Sequence, residues 1–245
     1  MSEEVLDNPI WHALIGPHRL FAIGSGSARQ YPRDMAPFSG LRNGSSKAYA
    51  DLARDLPAGM EARLFRLTDE PLPEGWEKLD AFPMLQMVAR RMPEAAKTDE
   101  AKPALLSSND NVAMLGLVDA AKPGPFGPRT CELGRYLGIW QDGNLVAMAG
   151  ERLRLPGYVE LSGIATHPRA RGHGLASILS RSLMQAAFER GEVPFLHVRV
   201  GNPAIMLYQR LGFETRREIW VLWRKPHGDG DDSSHHHHDR QAVRF

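Results

Sequence analysis

The second half of the chain alternates short apolar runs with longer segments whose apolar residues recur every three or four positions. Short runs of this kind are typical of strands, and the longer spacing is typical of amphipathic helices. Between the first two runs, Asp142-Gly143-Asn144 predicts a β-hairpin turn, and Gly191 is the kind of residue that ends a helix. The predicted strands lie over 136–141, 145–150, 158–166, 193–200 and 213–223, and the predicted helices over 109–121, 172–190 and 203–211.

The first half of the chain carries a weaker pattern. Apolar runs over 20–23 and 62–67 predict strands, and 85–91 is a further apolar segment. Residues 46–56 have helical spacing, with Ser45 or Ser46 as the N-cap. These elements predict a folded region, and none of them carries a motif that specifies chemistry.

A polar segment over 94–103 separates the halves and is the best candidate for a domain boundary. We therefore predict a smaller N-terminal α+β domain over residues 1–95 and a second domain over 102–226. The order β-β-β-α-β-α-β in the second domain predicts an α/β (α+β) fold with a mixed sheet covered by helices. Residues 227–245 predict a disordered tail, whose histidine run 235–238 could bind a metal only adventitiously.

Composition disfavours several classes of function. The formal net charge is +1, so the chain as a whole has no field that attracts nucleic acid or an anionic membrane. No apolar run approaches the roughly 20 residues of a membrane helix, and the N-terminus lacks the apolar region of a signal peptide. Cys131 is the single cysteine, which excludes an intrachain disulfide and fits a reducing environment. We expect a cytoplasmic protein whose anion binding is local.

A basic loop with two glycines follows the predicted strand that ends at Thr166. His167-Pro168 forms the turn, and residues 169–174 then lead directly into a predicted helix. The loop lacks the Lys-Ser/Thr of a P-loop and the three-glycine spacing of a Rossmann turn. A nucleoside triphosphate or dinucleotide site is therefore disfavoured.

The same loop has the chemistry of a diphosphate site. The first N–H groups of a helix have no partner within it, and that end of the helix carries a partial positive charge. Gly172 and Gly174 have no side chain to block a phosphate, while Arg169 and Arg171 add full positive charge. We predict that a diphosphate binds to the backbone N–H groups of about residues 171–176.

A second segment, over 202–213, follows the predicted strand 193–200. Asn202 is a good N-cap, and Gly212 is a natural residue to end the short helix. Tyr208 in this helix is expected near the same end of the sheet as the glycine loop.

Together the two segments resemble the GNAT superfamily of acyl-CoA-dependent N-acetyltransferases, with most likeness to the branch related to glycine N-acyltransferases, over about residues 112–223. The resemblance implies a mixed, mostly antiparallel sheet flanked by helices, acetyl-CoA as co-substrate and no metal. It implies that the first motif binds the CoA diphosphate and that the second lies along the pantetheine, between two strands that splay apart. The first half lacks both motifs and is either a degenerate copy or a separate lid. The residues that the resemblance assigns to CoA are Ile164, Ala165, Thr166, Arg169, Arg171, Gly172, His173, Gly174, Leu175, Ala176, Asn202 and Tyr208.

The implied reaction is direct attack of a neutral primary amine on the acetyl thioester in a ternary complex, which a general base assists directly or through water. Glu160 is the first candidate for this base, because apolar neighbours would raise its pKa by desolvation. Glu151 is the competing carboxylate. His167 is expected to shape the turn and His197 to line the sheet, so both are weaker candidates.

The departing thiolate and the developing oxyanion also need donors. The resemblance assigns the acid that protonates the thiolate to Tyr208. A free backbone N–H near Ile164 or Ala165 would stabilise the oxyanion.

The acceptor is predicted to be a small-molecule or peptide amine that the sequence does not specify, and the protein a monomer or homodimer. A second hypothesis is a non-catalytic module that binds acyl-CoA as a structural or sensory ligand. Nucleic-acid binding is disfavoured by the near-neutral charge and the absence of aromatic residues between the arginines.

Overall fold

The computed structural model describes residues 2–92 and 101–227. The histidine run 235–238 and most of the polar segment 94–103 lie outside the described residues. No helix within the described ranges is both long and apolar enough to cross a membrane.

The described strands are β1 Ala28–Gln30, β2 Ser39–Leu41, β3 Ala62–Arg66, β4 Trp76–Ala89, β5 Ala104–Leu106, β6 Tyr136–Gln141, β7 Asn144–Leu155, β8 Tyr158–Thr166, β9 Val193–Arg199 and β10 Phe213–Pro226. The described α-helices are α1 Pro9–Ile15, α2 Ser46–Asp55, α3 Asn111–Ala121, α4 Leu175–Glu189 and α5 Ile205–Arg210.

Strands β3 to β10 form one large sheet in the order β3-β10-β4-β9-β8-β7-β6-β5, while β1 and β2 pair separately. Neighbouring strands are antiparallel except β8 and β9, which are parallel. Parallel neighbours need a crossover connection, and α4 supplies it between β8 and β9. The predicted fold class, a mixed and mostly antiparallel sheet flanked by helices, is confirmed.

Strands from the first half of the chain lie within this sheet. β4 is placed between β9 and β10 and pairs with both, and β3 pairs with the far side of β10. The residues on the two sides of the predicted boundary therefore share one hydrogen-bonded sheet. The division at 95–102 itself stays a prediction.

Helix α4 covers one face of the sheet. Its side chains Ile178, Leu179 and Leu183 join a buried cluster that contains Leu161 of β8 and Leu196 of β9. Burial of one aliphatic side chain of this size contributes roughly 1.5–3 kcal/mol relative to exposure. This packing fixes the helix across β8 and β9, so its N-terminus stays at the end of β8.

The N-terminal segment covers the opposite face. Ile10 and Leu14 of α1 belong to a second buried cluster with Phe65 of β3, Phe195 of β9 and Val221 of β10. The two faces of β9 thus pack against different parts of the chain, as the alternation of side chains along a strand requires.

Most predicted elements are confirmed. The strand over 158–166 is observed with the same bounds. Helix α2 begins after Ser45, whose hydroxyl accepts a hydrogen bond from the Ala48 N–H at 3.2 Å. In the hairpin turn, Asp142 and Gly143 have φ values of 48° and 76°, as a type I′ turn requires.

Two predicted elements differ from the structure. The run over 20–23 is not a strand: Arg19–Phe21 is a 3-10 turn, and Leu20 is 88% exposed, so its apolar side chain has no strand neighbour to pack on. The long helix begins at Leu175 and not at Gly172. The reason is local, because Gly172 and Gly174 have left-handed φ values of 84° and 71°, which an α-helix does not allow.

Candidate functional site

Strands β8 and β9 pair only at their beginnings. The last paired residues are Glu160 and Phe195, although β8 continues to Thr166 and β9 to Arg199. Beyond that point the two strands separate, and their facing backbone groups have no ladder partners across the gap among the described residues. A wedge-shaped opening therefore divides the sheet at its centre.

A β-bulge re-aims the backbone of β8 at this opening. Met148 of β7 pairs with Ala165 and Gly150 pairs with Ser162, so Gly163 and Ile164 together face a single residue of β7. Gly163 has a φ of 60°, a conformation that favours glycine, and a Cβ there would make a tight contact of 3.2 Å with the Tyr136 ring. A bulge leaves an extra residue outside the ladder, and this one leaves it beside the opening.

The loop between β8 and α4 ends at an uncovered helix N-terminus. The left-handed Gly174 is the N-cap of α4 and provides no side-chain hydrogen bond to the first N–H groups. A Cβ placed on Gly172 or Gly174 would meet nothing within 4 Å, so open space adjoins both residues. The geometry suits an anion held by backbone N–H groups.

A groove of about 240 Å³ runs over this helix end. The predicted cofactor residues that line it are Thr166, Arg171, Gly172, Gly174, Leu175 and Ala176. The predicted residues outside its lining are Ile164, Ala165, Arg169, His173, Asn202 and Tyr208. Ala170, Ser177 and Leu207 line it as well and were missed, although Ser177 follows Gly174 at helical spacing and faces the same way.

Two of the residues outside the lining shape its edges. The His173 ring lies 3.0 Å from the Arg171 carbonyl oxygen through Nδ1, which folds the side chain back onto the loop. Asn202 accepts a hydrogen bond from the Ala204 N–H at 2.8 Å, which sets the start of α5. Both side chains therefore stabilise the elements that border the groove.

Tyr208 lies in α5 and is largely buried. It packs edge-on against Phe213 at 6.1 Å between ring centres, next to Leu207 of the groove. Burial raises the pKa of Tyr208 to about 12. Its phenol is therefore protonated at neutral pH.

Glu160 is fully buried, yet its pKa falls. Arg152 donates two hydrogen bonds to its carboxylate, at 2.8 and 2.7 Å, and His197 Nδ1 lies 2.8 Å from Oε1. Burial raises the pKa, but the charge and hydrogen bonds of Arg152 and the hydrogen bond of His197 outweigh it and lower the pKa to about 2. The sequence-based expectation of a raised pKa is wrong, because the desolvated carboxylate has two partners that the strand pattern did not reveal.

The polar contacts continue from Glu160 across the sheet. His197 Nε2 lies 3.1 Å from Gln86 Nε2, and Gln86 Oε1 accepts a hydrogen bond from Arg216 at 2.9 Å. Since Gln86 Nε2 can only donate, His197 Nε2 accepts, and the ring proton lies on Nδ1, facing Glu160. The chain of contacts joins β7, β8, β9, β4 and β10, and it spans the opening directly after the last backbone pair.

The competing carboxylate, Glu151, is also engaged. Its side chain is 3% exposed and accepts a hydrogen bond from Arg190 at 2.6 Å, with Arg154 at 3.6 Å. These contacts join β7 to the end of α4.

A second, smaller pocket of about 60 Å³ lies on the face opposite α4, since Phe38, Phe65 and Val221 in its wall belong to the cluster of α1. It adjoins the opening, because Ser162 and His197 come from the separated parts of β8 and β9. The full lining is Phe38, Phe65, Met84, Pro123, Gly124, Pro125, Arg152, Ser162, His197 and Val221.

Comparison with known proteins agrees with this geometry. The family model described as FR47-like protein matches residues 136–221. An acetyltransferase of the GNAT family from Novosphingobium aromaticivorans DSM 12444 is 35% identical, with a TM-score of 0.83 over 91% of this chain and 99% of that chain. A GCN5-related N-acetyltransferase from Kribbella flavida shares the fold at 20% identity, with a TM-score of 0.56 over 89% of this chain and 96% of that chain. No curated protein sequence matches the chain. With 35% identity over nearly the full length of both chains, this protein belongs to the GNAT family of acetyltransferases.

Proposed function

We propose that the protein is an N-acetyltransferase that moves an acetyl group from acetyl-CoA to a primary amine, by direct attack in a ternary complex. The observation that carries the proposal is the open glycine loop at the N-terminus of α4, placed directly beside the separated strands β8 and β9. The loop supplies anion binding, and the opening supplies backbone donors and acceptors for an extended chain.

The groove residues fit the CoA part of the co-substrate. The backbone N–H groups over 171–176 would hold the diphosphate, with Arg171 adding charge at the groove and Arg169 from the exposed side of the loop. Thr166 and the backbone of Ile164 and Ala165 would lie along the pantetheine in the opening. The large groove thus serves the large co-substrate.

The transfer itself is a balanced exchange of one bond for another. The neutral amine nitrogen forms a bond to the acetyl carbonyl carbon, the C–S bond breaks, and CoA leaves as a thiol after accepting a proton. A backbone N–H at the bulge, near Ile164 or Ala165, would stabilise the developing oxyanion. Acetyl-CoA supplies the activated acyl group, and residues of the protein position the two reactants and transfer protons.

Tyr208 is proposed as the proton donor to the departing sulfur. A free thiol of the cysteine type has a pKa of about 8.5. Burial raises the pKa of Tyr208 to about 12, but the same desolvation raises that of a thiol leaving in this site. The difference between the pKa of Tyr208 and that of the leaving thiol is therefore smaller than in water. This allows the phenol to donate a hydrogen bond to the sulfur and then to transfer its proton.

Glu160 fits a positioning role better than that of a base that takes the proton directly. Its three hydrogen bonds and its complete burial keep the carboxylate from an incoming amine. We propose that Glu160 links β8 to β9 through its hydrogen bond with His197, at the point where the backbone ladder ends. The proton of the amine is then accepted by water.

A thiol-release assay with acetyl-CoA and a panel of primary amines tests the proposal. Release of CoA that depends on the amine, with the acetylated amine as product, is the expected result. Tight acetyl-CoA binding without release, for any amine, would favour the non-catalytic module and contradict the enzymatic function.

A further inference from the structure

The small pocket on the face opposite α4 has two chemically different sides. Phe38, Phe65, Met84 and Val221 form an apolar side, and Arg152, Ser162 and His197 form a polar side. None of the described residues that line it is a carboxylate. A polyamine or other multiply charged cation would therefore lose its hydration there without gaining a counter-ion.

Arg152 lines this pocket and keeps donors that Glu160 does not use. Its Nε and one terminal nitrogen, Nη2, bond to Glu160, whereas Nη1 makes no hydrogen bond to any described residue. The guanidinium is held in place by that pair and by stacking over Phe38 at 4.7 Å. The remaining terminal nitrogen of this fixed guanidinium can donate a charge-assisted hydrogen bond to a carboxylate oxygen.

Ser162 adds a second donor beside the bulge. The residue is half-buried, and its hydroxyl makes no hydrogen bond to a described residue. Ser162 directly precedes Gly163, so the polar side of the pocket lies next to the backbone that faces the opening. A group bound at Arg152 and Ser162 is therefore close to the place of acyl transfer.

The size of the pocket restricts what can enter. Its volume of about 60 Å³ contrasts with about 240 Å³ for the groove on the other face. One buried water molecule needs roughly 10–15 Å³ of such volume, so the pocket accommodates only a few water molecules. A small branched aliphatic group matches this space and the apolar wall.

Resting on the proposed function, we infer that the acceptor is an α-amino acid with a small apolar side chain. Its carboxylate would bind Arg152 Nη1 and the Ser162 hydroxyl, and its side chain would pack on Phe65, Met84 and Val221. The α-amine, left uncharged, attacks the acetyl carbon; the amide bond forms, the C–S bond breaks, and the products are an N-acetyl amino acid and CoA.

A matched series of amines in the thiol-release assay separates the two contacts. Leucine has both groups, glycine lacks the apolar side chain, 3-methylbutylamine lacks the carboxylate, and leucinamide has that carboxylate neutralised. We expect kcat/KM for leucine to exceed that for each of the others by about 10-fold or more. For 3-methylbutylamine and leucinamide this is the effect of a hydrogen bond to a charged group, and for glycine it is the effect of burying an aliphatic side chain.

The outcomes of this assay distinguish a failure of the amino-acid inference from a failure of the proposed acetyltransferase function. Equal use of leucinamide or 3-methylbutylamine would overturn the carboxylate anchor, and equal use of glycine would overturn the apolar contact; both would leave the enzymatic function intact. Transfer to amines outside the series but not to leucine would overturn the inference as well. Failure of every amine would contradict the proposed function itself.

The substitution Arg152→Lys tests the anchor in the chain. It keeps a charge for Glu160 but removes the fork, so we expect KM for leucine to rise by about 10-fold, with a much smaller rise for 3-methylbutylamine. Arg224→Lys is the matched control, because Arg224 is also buried and paired with a carboxylate, that of Asp69, but lies outside the pocket. Should Arg152→Lys fail to fold, Ser162→Ala removes the second donor without touching an ion pair. A loss that is the same for both amines would mean that these residues are structural and would overturn the anchor.

Discussion

At the scale of single residues, Glu160 illustrates how partners decide the charge of a buried group. Complete burial alone favours the neutral acid, because an ion loses its hydration. At short range in a protein, one opposite charge offsets several kcal/mol of that cost, and here Arg152 and His197 both contact the carboxylate. The carboxylate therefore stays ionised at neutral pH and acts as a fixed link between β7, β8 and β9.

The substitution Glu160→Gln should destabilise the fold by roughly 3–5 kcal/mol at neutral pH, since it leaves Arg152 buried and unpaired. The folded-state pKa is lowered to about 2, so the stabilisation is present above the unfolded pKa of about 4.3 and is lost as pH falls through the folded value. Urea unfolding of both chains between pH 7 and pH 2 measures the difference. We expect the gap to narrow below about pH 4; a gap independent of pH would show that the carboxylate's charge is not what stabilises the protein.

The substitution Tyr208→Phe removes one hydroxyl and leaves the packing on Phe213. We expect kcat to fall by about 10-fold or more, a modest general-acid effect, with little change in KM for acetyl-CoA. Steady-state thiol release is the measurement, and thermal unfolding of the variant checks that the fold is kept. An unchanged kcat would remove Tyr208 from the reaction.

At the scale of elements, the loop before α4 depends on backbone conformations that glycine adopts without cost. Gly172 and Gly174 both have left-handed φ values with no neighbour over their Cβ positions, so they delay the helix until Leu175 and leave its first N–H groups uncovered. The apolar face of α4 then holds this end against the opening in the sheet. The uncovered helix N-terminus is thus a property of the loop and the helix together, and the proposed anion site depends on both.

The substitution Gly172→Glu would place bulk and negative charge where the diphosphate is expected. We expect acetyl-CoA binding to be abolished, as calorimetric titration would show. Gly191→Glu is the matched control, because Gly191 has a φ of 74°, adjoins open space and lies at the other end of α4. Tight binding retained by Gly172→Glu would refute the anion site, whereas equal loss in both variants would indicate backbone strain as the cause.

At the scale of the whole molecule, the two halves of the chain build one sheet, and both contribute to the small pocket. β4 separates β9 from β10, and residues of the first half, Phe38, Phe65 and Met84, form the apolar side of the small pocket. The groove over α4 comes from the second half alone. We infer that the second half holds the co-substrate and that the first half helps to select the acceptor.

A fragment of residues 102–227 should therefore not fold alone. It contains β5 to β10 but lacks β4, so β10 would lose its neighbours on both sides and β9 would become an exposed edge. Circular dichroism during urea titration should show no cooperative transition for the fragment. A chain that ends at residue 227 keeps every described strand and is the control. Cooperative unfolding of the fragment would support an independent domain with the predicted boundary.

Much of the site could be predicted from the sequence, because its signals are local. Glycine and arginine spacing after a strand, and the caps Ser45 and Gly191, depend only on near neighbours in the chain. Arg152 and Gln86 were missed as partners of this site, although polar residues within apolar strands were a visible hint. Their roles depend on which strands become neighbours, and no local pattern specifies that.

Local patterns in the sequence are enough to predict the order of strands and helices over 109–223, the hairpin turn and the glycine loop after β8, since each depends on backbone preferences over a few residues. They do not predict the short strand β5. Three features depend on the fold of the whole chain: β4 enters the sheet beside β9, Glu160 is ionised, and Phe65 of β3 reaches the pocket at the opening. The physical reason is that pairing between distant strands, and the charge state of a buried group, are set by contacts between residues far apart in the chain.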